Sequence, residues 1–171
     1  TANFKYLRML GGEPLLRSDL FEILREVPPQ TFSKIILGTN GLLLDKHADA
    51  VNRSCITNLT VSLDGIGDTN DRLRGIKGYF KKILRNLELV KGKRIKIASV
   101  ATKYLANEIE DLIRLCRERG YDYDVCLPNR SLPFSSTDAE LDALWPSPQD
   151  GDRIFETKRR EGMVSADIGK G

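Results

Sequence analysis

At 171 residues with 40% hydrophobic content, the chain is long enough to bury one real core and too short to make two domains the natural expectation. No apolar run approaches the ~20 residues that a membrane span needs, and the opening Thr1-Ala2-Asn3-Phe4-Lys5-Tyr6 is neither a basic leader nor a cleavable apolar stretch, so the expected compartment is the cytosol. The formal charge of +3 hides an uneven spread, and the three cysteines, Cys55, Cys116 and Cys126, lack close metal-ligand spacing and read as reduced thiols rather than a disulfide framework.

In chain order, residues 4–10 are apolar and β-rich and predict a first strand, closed by the turn Gly11-Gly12-Glu13-Pro14. Ser18 is placed to cap a helix whose apolar stripe is Leu20, Ile23, Leu24 and Val27. A second strand at 34–37 leads into Thr39-Asn40-Gly41, and a short, weakly patterned helix follows around Ala48 and Val51. A third strand at 58–63 ends in Ser62-Leu63-Asp64-Gly65. Phe80, Ile83, Leu84 and Leu87 recur at helical spacing, followed by a fourth strand at 95–101. Asn107 with Glu110 reads as a capping box for a helix carrying Ile109, Leu112, Ile113 and Cys116, Gly120 supplies a left-handed stop, and a fifth strand occupies 121–127. From Ser135 the character changes, with a break at Trp145-Pro146-Ser147-Pro148, a short helix expected at 154–160 and a last strand at 163–166. The expected division is therefore a β/α unit over 1–134 and a tail over 135–171.

Strand–helix alternation with connections of this length implies an α/β fold with parallel strands and right-handed crossovers, which leaves a doubly wound sheet or a whole or partial barrel. Eight units would not fit. The Gly-rich and polar punctuation follows the strands, and parallel β/α folds build their sites at the carboxyl ends of strands, so three such segments on one rim predict a small-molecule pocket. Gly11 and Gly12 let backbone approach a ligand, and a carboxylate at Glu13 can accept from an ammonium group. Pro14 fixes the exit of that turn. Asn40 offers donor and acceptor together, Ser62 and Asp64 suit vicinal hydroxyls, and Arg74 presents a planar fork for a carboxylate.

Taken singly, each of these segments is an ordinary turn; their ordered recurrence at successive strand ends is what favours a site. Residues 72–103 hold eleven Lys or Arg and one acid, Glu88, but these alternate with a core stripe. Lys81, Lys82 and Arg85 are thus the wet side of an amphipathic helix, which argues against nucleic acid as a partner. His47, the only histidine, stands on a polar helix start with no nucleophile or acid in a triad-like pattern.

The run Leu10-Gly11-Gly12-Glu13-Pro14-Leu15-Leu16-Arg17, then Thr39-Asn40-Gly41, then Ser62-Leu63-Asp64-Gly65 with Asp71-Arg72-Leu73-Arg74-Gly75 and Gly78-Tyr79-Phe80, resembles the radical S-adenosylmethionine enzymes, most of all the branches that make molybdopterin precursor and modify peptides. The resemblance runs from Tyr6 to Pro128. It implies a partial β/α (TIM-like) barrel with parallel strands, in which Gly11, Gly12, Glu13 and Pro14 meet the methionyl amine, with Gly12 and Glu13 as the main contacts. It further implies that Asn40 lines the cofactor cleft, Ser62 and Asp64 serve the ribose or carboxylate side, Arg74 meets the methionyl carboxylate, and Val125 to Leu127 border adenine.

In that family a Cys-x3-Cys-x2-Cys loop after the first strand holds a [4Fe–4S] cluster, and none occurs in these 171 residues. Cys55 precedes a strand and falls on the far rim, Cys116 joins a helix stripe, and Cys126 lies within a strand, so none replaces three closely spaced thiolates. The expectation is a chain whose first strand and cluster loop lie upstream. No metal ligand or catalytic residue is assigned within it. The intact parent would use S-adenosylmethionine, the cluster and a protein reductant to make a 5′-deoxyadenosyl radical that abstracts a substrate hydrogen. The chain by itself would be inactive and prone to self-association through an open sheet edge. The rival reading is a cluster-free sensor or scaffold that binds S-adenosylmethionine or a nucleotide.

Overall fold

The structure is a computed structural model, and it describes residues 4–28, 30–126, 147, 149–150, 152, 154 and 156–157. The elements alternate as β1 (Tyr6–Met9), α1 (Leu20–Arg25), β2 (Lys34–Thr39), α2 (Leu44–Arg53), β3 (Asn58–Ser62), α3 (Gly67–Arg74), α4 (Tyr79–Glu88), β4 (Arg94–Val100), α5 (Leu105–Glu118) and β5 (Asp122–Cys126). The strands lie side by side in chain order β1-β2-β3-β4-β5, and every neighbouring pair is parallel. A doubly wound sheet reverses its order at a switch point. Here the order never reverses, so the chain is a partial β/α barrel.

Alternation along the strands divides the two faces. Ile35, Leu37, Leu59, Val61, Ile95, Ile97, Tyr123 and Val125 are buried under the helices, where they meet Leu24, Leu44, Val51, Ile83, Leu87, Ile109, Leu112 and Cys116 in one apolar cluster. On the other face Asn58, Thr60, Ser62, Lys96, Asp122 and Asp124 are only half-buried, and Lys96 meets Asp124 at 3.6 Å. A filled barrel interior would carry branched apolar residues instead.

Several local expectations change. The second helix is stronger than its pattern suggested, because Leu44, Ala48 and Val51 place one buried stripe along ten residues. The segment 67–74 forms a helix of its own, α3, with almost no apolar periodicity and Asn70 as its only buried residue. Ser18 does not cap: Asp19 takes the N-cap position of α1 without a side-chain bond. Asn107 is not a cap either, since α5 begins at Leu105 and its start is held by Thr102, whose hydroxyl accepts the Leu105 N–H at 3.2 Å and whose carbonyl accepts the Ala106 N–H. Gly120 does take the left-handed turn, at φ 68°. In the tail, residues 149, 150, 152, 154, 156 and 157 are helical, with Ile154 buried in the main core. The strand expected at 163–166 lies outside the described residues.

Candidate functional site

The carboxyl ends of the parallel strands form one rim, and the loops after β1, β2 and β3 meet there. Directly after β1, Gly11 adopts φ 143°, a conformation that side chains disfavour, and a Cβ at Gly11 or Gly12 would face open space. That stretch of backbone is accessible from the rim. Glu13 then caps the 3-10 turn Pro14–Leu16, with Oε1 accepting the Leu15 N–H at 3.1 Å.

The same carboxylate ties the first loop to the second. Oε1 accepts the Thr39 hydroxyl at 2.7 Å and Oε2 accepts the Asn40 N–H at 2.7 Å. Asn40 shapes its own turn, its Oδ1 accepting the Leu42 N–H at 2.9 Å, and its carbonyl accepts the Tyr79 hydroxyl at 2.6 Å. Asn86, buried on α4, donates to the Gly41 and Leu42 carbonyls at 2.9 and 3.2 Å. This loop is therefore held from three sides.

At the end of β3, Asp64 is 8% exposed and fully engaged. Its N–H donates to Asn70 Oδ1 at 2.8 Å, its Oδ1 accepts the Val100 N–H at 2.8 Å, and its Oδ2 meets the Arg74 guanidinium at 2.6 Å. Burial nevertheless wins over the arginine and holds the Asp64 carboxyl above the usual carboxylate range. Beside this pair, Asn70 Nδ2 and Arg74 Nε are buried donors without an acceptor among the described residues. Such atoms are costly unless something else meets them. Ser62, two residues earlier and the last of β3, is half-buried on the open face.

Tyr79 joins the two halves. Its ring is 2% exposed, and its hydroxyl, pushed above the ordinary 10.0 chiefly by burial, also feels the charges of Arg74, Asp64 and Glu13. The loops that carry Glu13, Asn40, Asp64 and Arg74 thus meet at Tyr79. The Glu13 and Asp64 carboxylates already accept internal bonds. Val125 turns its side chain into the helix-facing core, so only its backbone can border the cleft. Leu127 lies outside the described residues.

Thr39, Asn70, Tyr79 and Asn86 were not singled out as site residues. An asparagine in the apolar stripe of α4 was a readable signal for Asn86. Asn70 had none, since a charged, aperiodic segment hides which residue turns inward.

The cysteines stand apart from one another, on different elements. Cys116 is buried in α5, with its thiol pushed up to about 12 by burial. Cys126 ends β5, its Sγ donating to the Ser99 carbonyl at 3.6 Å. Cys55 precedes β3 at the opposite rim, donates to the Leu24 carbonyl at 3.3 Å, and lines a cavity of about 510 Å³ with Phe21, Arg25 and Arg53. Among the described residues no three His, Cys, Asp or Glu side chains are grouped to hold a metal ion, so an iron–sulfur cluster does not fit the thiolates present. Among them, too, no helix is long and apolar enough to cross a membrane.

Residues 2–117 match the family described as the Radical SAM superfamily. The chain is 37% identical over 114 residues to the GTP 3′,8-cyclase of Synechocystis sp., covering 65% of this chain and 35% of that protein. It is 34% identical over 119 residues to the pre-heme d1 synthase of Dinoroseobacter shibae, covering 68% and 29%. It therefore spans about a third of the length of these curated relatives. Among solved structures, Streptococcus suis SuiB bound to S-adenosylmethionine shares the fold with a TM-score of 0.65 at 20% identity, over 91% of this chain and 37% of that one. Native anSMEcpe with bound AdoMet does so with a TM-score of 0.66 at 18% identity, over 95% and 48%.

Proposed function

The chain belongs to the Radical SAM superfamily, and from that premise we propose that its carboxyl-rim cleft binds S-adenosylmethionine, as the cofactor-holding part of an enzyme of radical chemistry. The observation that carries the reading is the meeting of the Gly11–Glu13 turn, the Asn40 loop and the Asp64–Arg74 pair around the Tyr79 hydroxyl.

The residues fit such a ligand in kind. Gly11 and Gly12 leave open backbone for the methionyl ammonium, with Glu13 holding that turn against Asn40 and adding negative charge nearby. Arg74, anchored through one nitrogen to Asp64, keeps other donors for a ligand carboxylate, and its unmet Nε belongs to the same group. Ser62 offers a hydroxyl to the ligand's polar side, while the backbone of Val125 would border adenine. When bound, S-adenosylmethionine supplies a sulfonium that breaks at a carbon–sulfur bond on accepting one electron. The work of these residues is to orient it and keep water out.

The thiolates for a cluster would have to come from outside these 171 residues, and a protein reductant would supply the electron. Three cysteines in the thiol form agree with a reducing, cytosolic setting. The half-buried Thr60, Lys96 and Asp124 on the open sheet face support a polar substrate.

A second reading, a cluster-free binder acting as a sensor or scaffold, is favoured by one observation: each thiol has a place in the fold that needs no metal. Calorimetric titration with S-adenosylmethionine, together with iron and sulfide analysis and electron paramagnetic resonance after anaerobic reconstitution, tests both. The first reading expects binding by this chain and a cluster only in a version extended to include a Cys-x3-Cys-x2-Cys segment. If the extended protein binds the ligand but never holds iron, the second reading replaces it. Absence of binding in either form removes both.

A further inference from the structure

Resting on that reading of the cleft, we propose that Glu108 is a positioning residue for it: α5, through this one carboxylate, sets where Asp64 and Arg74 stand. Glu108 lies in the first turn of α5, yet its side chain serves the loop between β3 and α3. Oε2 accepts the Ile66 N–H at 2.7 Å, from 42 residues away, and Oε1 accepts the Thr69 hydroxyl at 2.7 Å, from 39 residues away. Both bonds are charge-assisted, the stronger kind.

Gly65 shows how closely the carboxylate is seated. A Cβ there would lie 2.8 Å from Glu108 Oε2 and 2.9 Å from Thr69 Cγ2, both closer than real Cβ contacts come. Its φ is not in the left-handed region, so the glycine answers the approach of Glu108 rather than a turn requirement. The chain is gripped at Ile66, just ahead of α3, and at Thr69 in the first turn of α3, between Asp64 and Asn70. Those two are bonded to each other through the Asp64 N–H, and Asp64 then orients the Arg74 guanidinium. Each link in this path has at most a few bonds of slack. Losing Glu108 frees the loop that aims the arginine, without touching any group that meets the ligand.

A plain loop staple would change stability alone, whereas a positioning residue also changes which ligand is preferred. The test is calorimetric titration of the chain with S-adenosylmethionine and with its decarboxylated analogue, each beside a thermal melt, for the native protein, Glu108→Gln, Glu108→Ala and Thr69→Val. The native chain is expected to prefer the carboxylate-bearing ligand. Glu108→Gln keeps an acceptor for Ile66 and an amide that can donate to the Thr69 oxygen, so it retains that preference. Glu108→Ala loses it, with S-adenosylmethionine weakened about tenfold and the analogue little changed. Thr69→Val, which breaks one bond only, falls between, and carries the test should the alanine variant not fold. Unchanged preference in Glu108→Ala or Thr69→Val overturns the proposal even if both melt early. Failure of the native chain to bind either ligand instead removes the reading of the cleft, and the role of Glu108 in it falls with that reading.

Discussion

Glu13 and Asn40 are joined by a hydrogen bond of 2.7 Å from the Asn40 N–H to Oε2, across 27 residues of chain. With the Thr39 hydroxyl on the other oxygen, this carboxylate is the fastening between the first two rim loops. Glu13→Ala should therefore destabilise the protein by about 2 kcal/mol, since it strands the Asn40 N–H and removes charge-assisted bonds. Glu13→Gln, which keeps one oxygen and places an N–H₂ against Thr39 or Asn40, should recover part of that loss. Urea unfolding of both variants checks the order, and an alanine variant as stable as the native protein would contradict it.

Gly41 is fixed twice over. It sits at φ 80°, and a Cβ would come within 3.2 Å of both Val61 and Ile83. Gly41→Ala combines backbone strain with overpacking and should cost about 1–3 kcal/mol. The loop it would distort carries Asn40, so ligand affinity should fall with it. A thermal melt with parallel titration separates the two effects, and no loss of either would mean that the turn relaxes freely.

Asp71 does its work at the start of the next helix. Its Oδ1 accepts the Phe80 N–H at 2.8 Å and its Oδ2 accepts the Gly78 N–H, so a residue of α3 caps α4. Asp71→Ala should cost about 1–2 kcal/mol, the range of a lost N-cap, with Asp71→Asn recovering part of it. Denaturant unfolding gives the comparison. Equal stability of the alanine and native forms would show that water replaces the cap.

These residues also show what the sequence could and could not reveal. Strand alternation and helical stripes are carried by apolar residues facing a core, so the five parallel strands and the packed faces of α1, α4 and α5 were legible from Leu37, Leu59, Ile83 and Ile109 onward. Helix α3 was not, because it has almost no apolar stripe and is held by Asp71, Asn70 and Arg74 through polar contacts with Phe80 and Asp64 outside the helix. The caps at Ser18 and Asn107 failed for a related reason: several residues near a helix start can cap, and packing of the first turn chooses among them. At the carboxyl rim, a sequence does not show that the oxygens of Glu13 and Asp64 already have partners.

Burial divides the cysteines into two reactivity classes. Cys55 and Cys126 are exposed, whereas Cys116 is buried with its thiol pushed up to about 12. Thiolate is the reactive form, so iodoacetamide at pH 8 should label the first two in the folded protein and reach Cys116 only after unfolding. Peptide mass spectrometry reads the pattern directly. Prompt labelling of Cys116 under native conditions would show that α5 opens far more readily than its buried face implies.

Asp64 gives the molecule a dependence on pH whose sign runs against the common case. A carboxylate beside an arginine usually ionises more readily when folded, but burial outweighs Arg74 here and raises the Asp64 carboxyl above its ordinary 3.8. The folded state then binds this proton more tightly than the unfolded state does. Its contribution to stability is fully present below 3.8 and is lost as pH rises through the folded value. Asp64→Asn cannot titrate, and its unpaired Arg74 adds an offset that does not change with pH in this range. The unfolding free energy of the native protein minus that of the variant should therefore decline from mildly acid pH toward neutrality, then level off. Denaturant unfolding at a series of pH values from about 4 to 7 follows this difference through the region where carboxylates titrate. A difference that instead grows as pH rises would mean that the arginine dominates over burial, and that Asp64 is held as a strongly stabilised anion.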